Sequence, residues 1–277
     1  MKKYDIINER LIDDLKMKAR NTMKYGFIGM GNMGQAFLKG MIRFGKIDPK
    51  DTCAFAPNQE KLRKNSDIIG FDPEKTVSDV AEKSDLVIIA CKPYQIESVL
   101  SELGDKACEK QFVSIAAGWD YDRFTKHGLK IQCIMPNTPC EIGEGVVLVE
   151  DRYSIDKEVK DEVLELFSSF SKVIELPGRL IDAGSAISGC APAFVDVFIE
   201  AMADGAVKNG IPRKTAYEII TKMMAGSAKL MEETGIHPGE LKDRVCSPGG
   251  TTIKGIHALE KGGFRAAVID AVDSTLK

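Results

Sequence analysis

The sequence lacks most of the features that mark a specialised class of protein. Its seven cysteines include no Cys-x-x-Cys pair and no metal-ligand spacing. An odd, unpatterned set of this kind is expected to stay reduced in a cytosolic protein. The three histidines, His127, His237 and His257, lie far apart, so no metal centre is expected. No uninterrupted apolar run reaches the roughly 18 residues of a membrane span, so no transmembrane helix is expected. The two lysines after Met1 lead into no apolar core of a signal peptide. Charge is nearly balanced, with 38 basic against 41 acidic residues, and nothing calls for a nucleic acid or a membrane surface as partner. What remains is ordinary globular composition, with enough apolar residues for more than one domain.

Residues 1–22 carry six basic and four acidic side chains, with Ile7, Leu11 and Leu15 every fourth residue. That spacing suits a short amphipathic helix, an N-terminal extension with no chemistry of its own. From Met23 strands and helices alternate. Tyr25-Gly-Phe-Ile28 is a short apolar strand, residues 33–44 a helix ended near Gly45, and residues 52–56 a second strand. Leu86-Val-Ile-Ile-Ala-Cys91 is a continuous apolar run, as in a strand buried on both faces. Residues 112–116, 131–135, 146–149 and 173–175 add further strands. Alternation of this kind predicts an α/β fold with a doubly wound, mostly parallel sheet over residues 23–180. Residues 181–277 read as all-α: one long helix over 181–209, a break at Gly210-Ile-Pro212, a helix over 213–234, then three shorter helices. A helical module behind a nucleotide-type domain suggests substrate binding or dimerisation.

The first chemical signal is Gly29-Met-Gly-Asn-Met-Gly34, which follows a strand and opens a helix. In that context the Gly-x-Gly-x-x-Gly spacing is a dinucleotide fingerprint. Gly29 permits the tight turn, Gly31 lets backbone approach a pyrophosphate, and Gly34 allows close helix–strand packing. Met30, Asn32 and Met33 line the same loop. A version specific for NAD has an acidic residue at the end of the second strand for the ribose hydroxyl. Here residues 53–59 contain no acid; Pro57 and Asn58 occupy the turn, with Lys61, Arg63 and Lys64 beyond. NADPH is therefore favoured, with NADH use left open. Three more loops fall where strands end: Ala90, Lys92 and Pro93; Ala116, Ala117 and Gly118; Met135, Pro136 and Asn137. Ligands of open α/β sheets sit beyond such ends. Lys92 is a candidate for a phosphate or ribose, and Asn137 offers an amide to nicotinamide or substrate.

The second signal is Ser247-Pro-Gly-Gly-Thr-Thr252. Pro248 stiffens the turn, and Gly249 and Gly250 expose N–H groups without side-chain obstruction. Thr251 or Thr252 is expected to cap the following helix, whose first amides would hold a carboxylate. Ser247 lies beside them. One cradle would then hold cofactor phosphates and the other a substrate carboxylate.

These residues, with His237-Pro-Gly-Glu-Leu-Lys-Asp243, Gly262-Gly-Phe-Arg265 and the loops at residues 90–93, 116–118 and 135–139, resemble the pyrroline-5-carboxylate reductase family. The resemblance runs from about Met23 to the C-terminus. It implies an N-terminal Rossmann domain and an all-α C-terminal domain that forms homodimers, often assembled into larger homo-oligomers. The active site would be shared across the dimer. It also implies that Ser247, Gly249, Gly250, Thr251 and Thr252 hold the carboxylate and ring nitrogen of 1-pyrroline-5-carboxylate. Thr252 would assist protonation at nitrogen as hydride from NADPH reaches the C=N carbon, giving proline. The chain departs from the family pattern at Cys190-Ala191, at Ser185 and at Val77. Two alternatives stay open: a reductase of another cyclic imine carboxylate, and a non-catalytic NADP-binding paralogue. A β-hydroxyacid dehydrogenase would need a lysine inside the long helix, and residues 182–207 contain none.

Overall fold

The computed structural model describes residues 23–276, so the helix expected near the N-terminus lies outside the described residues. The described chain divides into two compact units, with the division between Gly184 and Ser185, four residues beyond the expected boundary.

The first unit is built on eight strands: β1 (Tyr25–Ile28), β2 (Thr52–Phe55), β3 (Asp72–Pro73), β4 (Leu86–Ile89), β5 (Gln111–Ser114), β6 (Lys130–Pro136), β7 (Gly145–Tyr153) and β8 (Ser171–Leu176). Their order in the sheet is β3-β2-β1-β4-β5-β6-β7-β8. All neighbours are parallel except β6 and β7. The order reverses at β1 and β4, so the crevice beyond their carboxyl ends is the switch point where such sheets bind ligands. β3 has no apolar pattern of its own; backbone pairing of Asp72 and Pro73 with Cys53 and Ala54 defines it.

Alternation along the strands sends side chains to two separate cores. Phe27, Leu86, Ile88 and Val113 face one layer with Phe37, Met41, Phe167 and Phe170. Ile28, Val87, Ile89 and Phe112 face the other with Val80, Ile96, Leu100 and Phe124. Helices α1 (Asn32–Arg43), α2 (Gln59–Ile69), α3 (Val77–Lys83), α4 (Ile96–Leu103), α5 (Tyr121–Lys126) and α6 (Lys157–Ser168) follow the strands. On the first face Phe37 meets Phe167 and Phe170 edge-on, at centroid distances of 5.0 and 5.3 Å. Each such fully buried side chain contributes roughly 1.5–3 kcal/mol.

The second unit is helical. The long helix expected over residues 181–209 is interrupted: α7 (Ile181–Ser185) passes through a π turn at Ala186–Cys190 into α8 (Ala191–Lys208). Pro192 explains the interruption, because it has no N–H to donate back to Ser188 and a wider turn absorbs the missing bond. Then come α9 (Arg213–Thr234), α10 (Pro238–Arg244), α11 (Thr251–Lys261) and α12 (Phe264–Ser274). The buried cluster of this unit is Ala203, Ala216 and Ile220. Ile187 and Val197, each 64% exposed, and Ile219, 54% exposed, leave apolar surface open. The helical stretch Gly178–Lys208 is also long and apolar enough, by length and composition, to cross a membrane. Asp196 and Glu200 break the contiguous run without lowering the average enough.

Candidate active site

Because β2, β1, β4, β5 and β6 run the same way, the loops at residues 29–34, 56–58, 90–93, 116–118 and 135–137 gather at one edge of the sheet. Gly29 has φ +104°, and a Cβ there would lie 2.5 Å from the Cys91 nitrogen. The β1 and β4 loops therefore touch at the switch point only because this residue is glycine. A Cβ on Gly34 would lie 2.9 Å from the Gly29 oxygen, which is the close helix–strand packing expected of the third glycine. Gly31 differs: a Cβ there meets nothing within 4 Å among the described residues. Gly31 is the N-cap of α1, no side chain caps that helix, and its first turn holds no acid. Its amides are left for an anion. Met30 is buried, and its carbonyl accepts from Gln35 Nε2 at 3.2 Å, which braces the loop. Burial pushes the Cys91 thiol up to about 11, so no thiolate competes with a phosphate here at neutral pH. These features fit the diphosphate of a dinucleotide.

Asn58 has a structural task that the sequence reading missed. It is the N-cap of α2, and its Oδ1 accepts from Lys61 N at 2.9 Å. Of the cations beyond, Lys64 pairs with Glu60 at 2.7 Å, and Lys61 and Arg63 make no ion pair among the described residues. In the β4 loop, Lys92 and Pro93 are exposed, and the Lys92 nitrogen donates to Gln95 Oε1 at 3.1 Å. Ala116 is buried, whereas Ala117 and Gly118 are exposed, with Gly118 at φ +75°. The buried Trp119 packs on Phe124 at 5.0 Å and is part of the core.

Asn137 also has a structural task. It is 6% exposed, and its Oδ1 accepts from Val146 N at 2.9 Å, joining the end of β6 to β7. Its carboxamide oxygen thus holds the frame at the strand end. Met135 and Pro136 precede it at the strand end.

The second cradle lies wholly in the helical unit. Gly250 N donates to Ser247 O at 3.0 Å, closing a turn with Pro248 and Gly249 at its centre and Gly249 at φ +70°. Proline followed by a positive-φ glycine is the signature of a type II turn. A Cβ on Gly250 would lie 2.4 Å from Ser247 Oγ, so the Ser247 hydroxyl sits directly over this glycine. The expected threonine cap is not formed. Gly250 itself is the N-cap of α11, no side chain caps the helix, and Thr251 and Thr252 are its first two residues. Capping is a matter of backbone conformation as well as residue type, and the extended residue here is the glycine. Both threonines are exposed, and neither hydroxyl is hydrogen-bonded among the described residues. The first turn of α11 again holds no acid. The arrangement offers amides to a carboxylate and two neutral hydroxyls beside it.

Comparison with known proteins is consistent across both units. The family model "Pyrroline-5-carboxylate reductase dimerisation" matches residues 178–277. The model "NADP oxidoreductase coenzyme F420-dependent" matches residues 24–118. The pyrroline-5-carboxylate reductase of Escherichia coli (strain K12) is 40% identical over 92% of this chain and 96% of its own length. That of Treponema pallidum is 36% identical over 92% and 99%. Among solved structures, the pyrroline carboxylate reductase of Plasmodium falciparum with NADP bound has a TM-score of 0.84 at 29% identity, covering 92% of this chain and 95% of that one.

Proposed function

The chain belongs to the pyrroline-5-carboxylate reductase family, and from that membership we propose how its two cradles divide the reaction. The activity is that of an NADP-dependent oxidoreductase: reduction of 1-pyrroline-5-carboxylate to proline, the last step of proline biosynthesis. NADPH, when bound, supplies the hydride that reaches the C=N carbon.

Everything else falls to the chain. The α1 amides at residues 31–34 hold the diphosphate. The turn at Pro57 and Asn58 receives the adenosine end, with no carboxylate to repel a 2′-phosphate. The loops at residues 90–93, 116–118 and 135–137 receive the remainder. Ser247, Gly249, Gly250 and Thr251 hold the substrate carboxylate against the α11 amides, and that fixed charge orients the ring. A cyclic imine accepts hydride more readily once protonated, so the site needs a neutral group that satisfies an iminium N–H. The Thr252 hydroxyl can donate or accept. Orientation at near-attack distance is worth up to about 7 kcal/mol or more.

The observation that carries this reading is the α11 start: a glycine cap, no acid in the first turn, and two hydroxyls free of any capping duty. The matched dimerisation family supports a homodimer through residues 178–277. The finer reading is that the exposed apolar faces of α8, α9 and α12 meet a second copy. The cofactor edge of one protomer would then serve the second cradle of its partner, and dimers would assemble further. A cytoplasmic location belongs to the same reading, supported by seven free thiols. Oxidation of NADPH by the purified protein, with and without 1-pyrroline-5-carboxylate, tests it. Substrate-dependent turnover, with proline identified by mass, is expected; NADPH binding without turnover of any cyclic imine would overturn it.

A further inference from the structure

An ionic network centred on one buried carboxylate, outside both cradles, reaches the loop at residues 116–118. Glu150, on β7, is 2% exposed. Its Oε2 accepts from Tyr121 N at 3.2 Å, at the first residue of α5. Its Oε1 accepts from Arg152 Nε at 3.0 Å and Nη2 at 2.7 Å. Arg152 Nη1 then donates to both oxygens of Asp122 at 2.9 Å. One carboxylate and one guanidinium thus bind β7 to the first turn of α5 twice over. The exit of the loop is held from the other side as well. Arg123 Nη1 donates to Gly118 O at 2.7 Å, and its guanidinium lies 4.2 Å from the Trp119 ring centre. Ala116, Gly118, Met135, Glu150, Arg152 and Arg179 share the wall of a cavity of about 390 Å³. A Cβ on Gly178 would lie 2.6 Å from Glu150 Oε1, so the segment leading toward the helical unit leaves this carboxylate just enough room.

We propose that Glu150 is a positioning residue for the cofactor loop at residues 116–118, acting through the α5 start and Arg152. The proposal rests on the reading of that loop as a contact for the nicotinamide cofactor. A buried carboxylate persists only where donors surround it. Here the donors are the backbone that follows the loop and an arginine anchored on α5, so the charge fixes where the loop ends. Glu150 itself is buried among its donors, so its effect is expected in cofactor affinity and not in the chemical step.

The test is Glu150→Gln in the full chain, read by NADPH fluorescence titration, steady-state kinetics and thermal melting. Glutamine keeps one acceptor and the shape, but turns an N–H₂ toward the donors of Arg152 or Tyr121. The dissociation constant for NADPH is expected to rise about 10-fold, with kcat at saturating NADPH within about 2-fold of wild type. A merely structural role would lower the active fraction, and so the maximal rate, without moving that constant. Asp122→Asn, on an exposed side chain, guards against a folding failure of the first variant and is expected to raise the constant about 3-fold. Wild-type binding with an unchanged constant in the folded variants overturns the positioning role alone. Absence of NADPH binding by the wild-type chain overturns the cofactor reading and this proposal together.

Discussion

Gly31 and Gly250 stand in matching places. Each is the N-cap of a helix, with φ of −75° and −67°, without a side-chain cap and without an acid in the first turn. Each follows a glycine at positive φ, Gly29 two residues before and Gly249 one before. Their surroundings differ. Around the first, Gly29 and Gly34 are wedged against Cys91 and the Gly29 carbonyl, and the loop is braced by Gln35. Around the second, a Cβ on Gly249 meets nothing within 4 Å, and Thr251 and Thr252 are exposed. The first cradle is wedged and braced by its own unit, whereas the second has a floor and few walls. The same contrast holds for the units as wholes, one with two closed cores and the other with a single three-residue buried cluster and open apolar faces. The start of α11 is chemically ready but unenclosed within its own unit, which accords with the proposed completion by a second copy.

The comparison breaks most sharply at Gly31. Gly31→Asp has room for its side chain, so the fold and melting temperature should hold. A carboxylate close to the diphosphate is worth about 4 kcal/mol of repulsion at an effective dielectric of 20, so NADPH affinity should fall by more than about 100-fold. Fluorescence titration beside a melting curve checks both halves.

The difference in enclosure is tested next by Val197→Glu, at an exposed position on α8. The isolated unit should tolerate it, but a charge buried in a dimer contact costs several kcal/mol. Light scattering should show dissociation, with NADPH binding kept and turnover lost. An unchanged oligomer with full turnover would mean that this face of α8 is not the one covered.

A smaller effect is expected at Asn58. Aspartate caps a helix as well as asparagine does, so Asn58→Asp should leave stability unchanged while adding a charge near a 2′-phosphate. The ratio of kcat/KM for NADPH over NADH should drop about 10-fold. An unchanged ratio would separate the capping task of Asn58 from cofactor choice.

The parallel sheet was legible because β1 and β4 are continuous apolar runs and because glycines at fixed spacing follow β1. The start and end of α9 were legible from Pro212 and Gly235. β3 was not, since two exposed residues carry no pattern and pairing alone makes the strand. The π turn was missed although its cause, Pro192, stands in the sequence, because the residues around it read as helix throughout. The structural bonds of Asn137 and Asn58 were not legible, because residue type says what a side chain can bind, not which backbone group it already engages. The threonines of the second cradle were misread in the opposite direction, as caps, when Gly250 takes that place. Glu150, Arg152 and Asp122 left no signal, since the contact between β7 and α5 exists only once the sheet has formed.

The measurement closest to the central claim is the kinetic profile of Thr252→Ala across both NADPH and 1-pyrroline-5-carboxylate, with NADPH binding titrated separately. If the second cradle serves the substrate alone, kcat should fall about 10-fold, the scale of one hydrogen bond to a charged group, while NADPH affinity and melting temperature stay at wild-type values. An equal loss in NADPH affinity would contradict the division of labour between the two cradles.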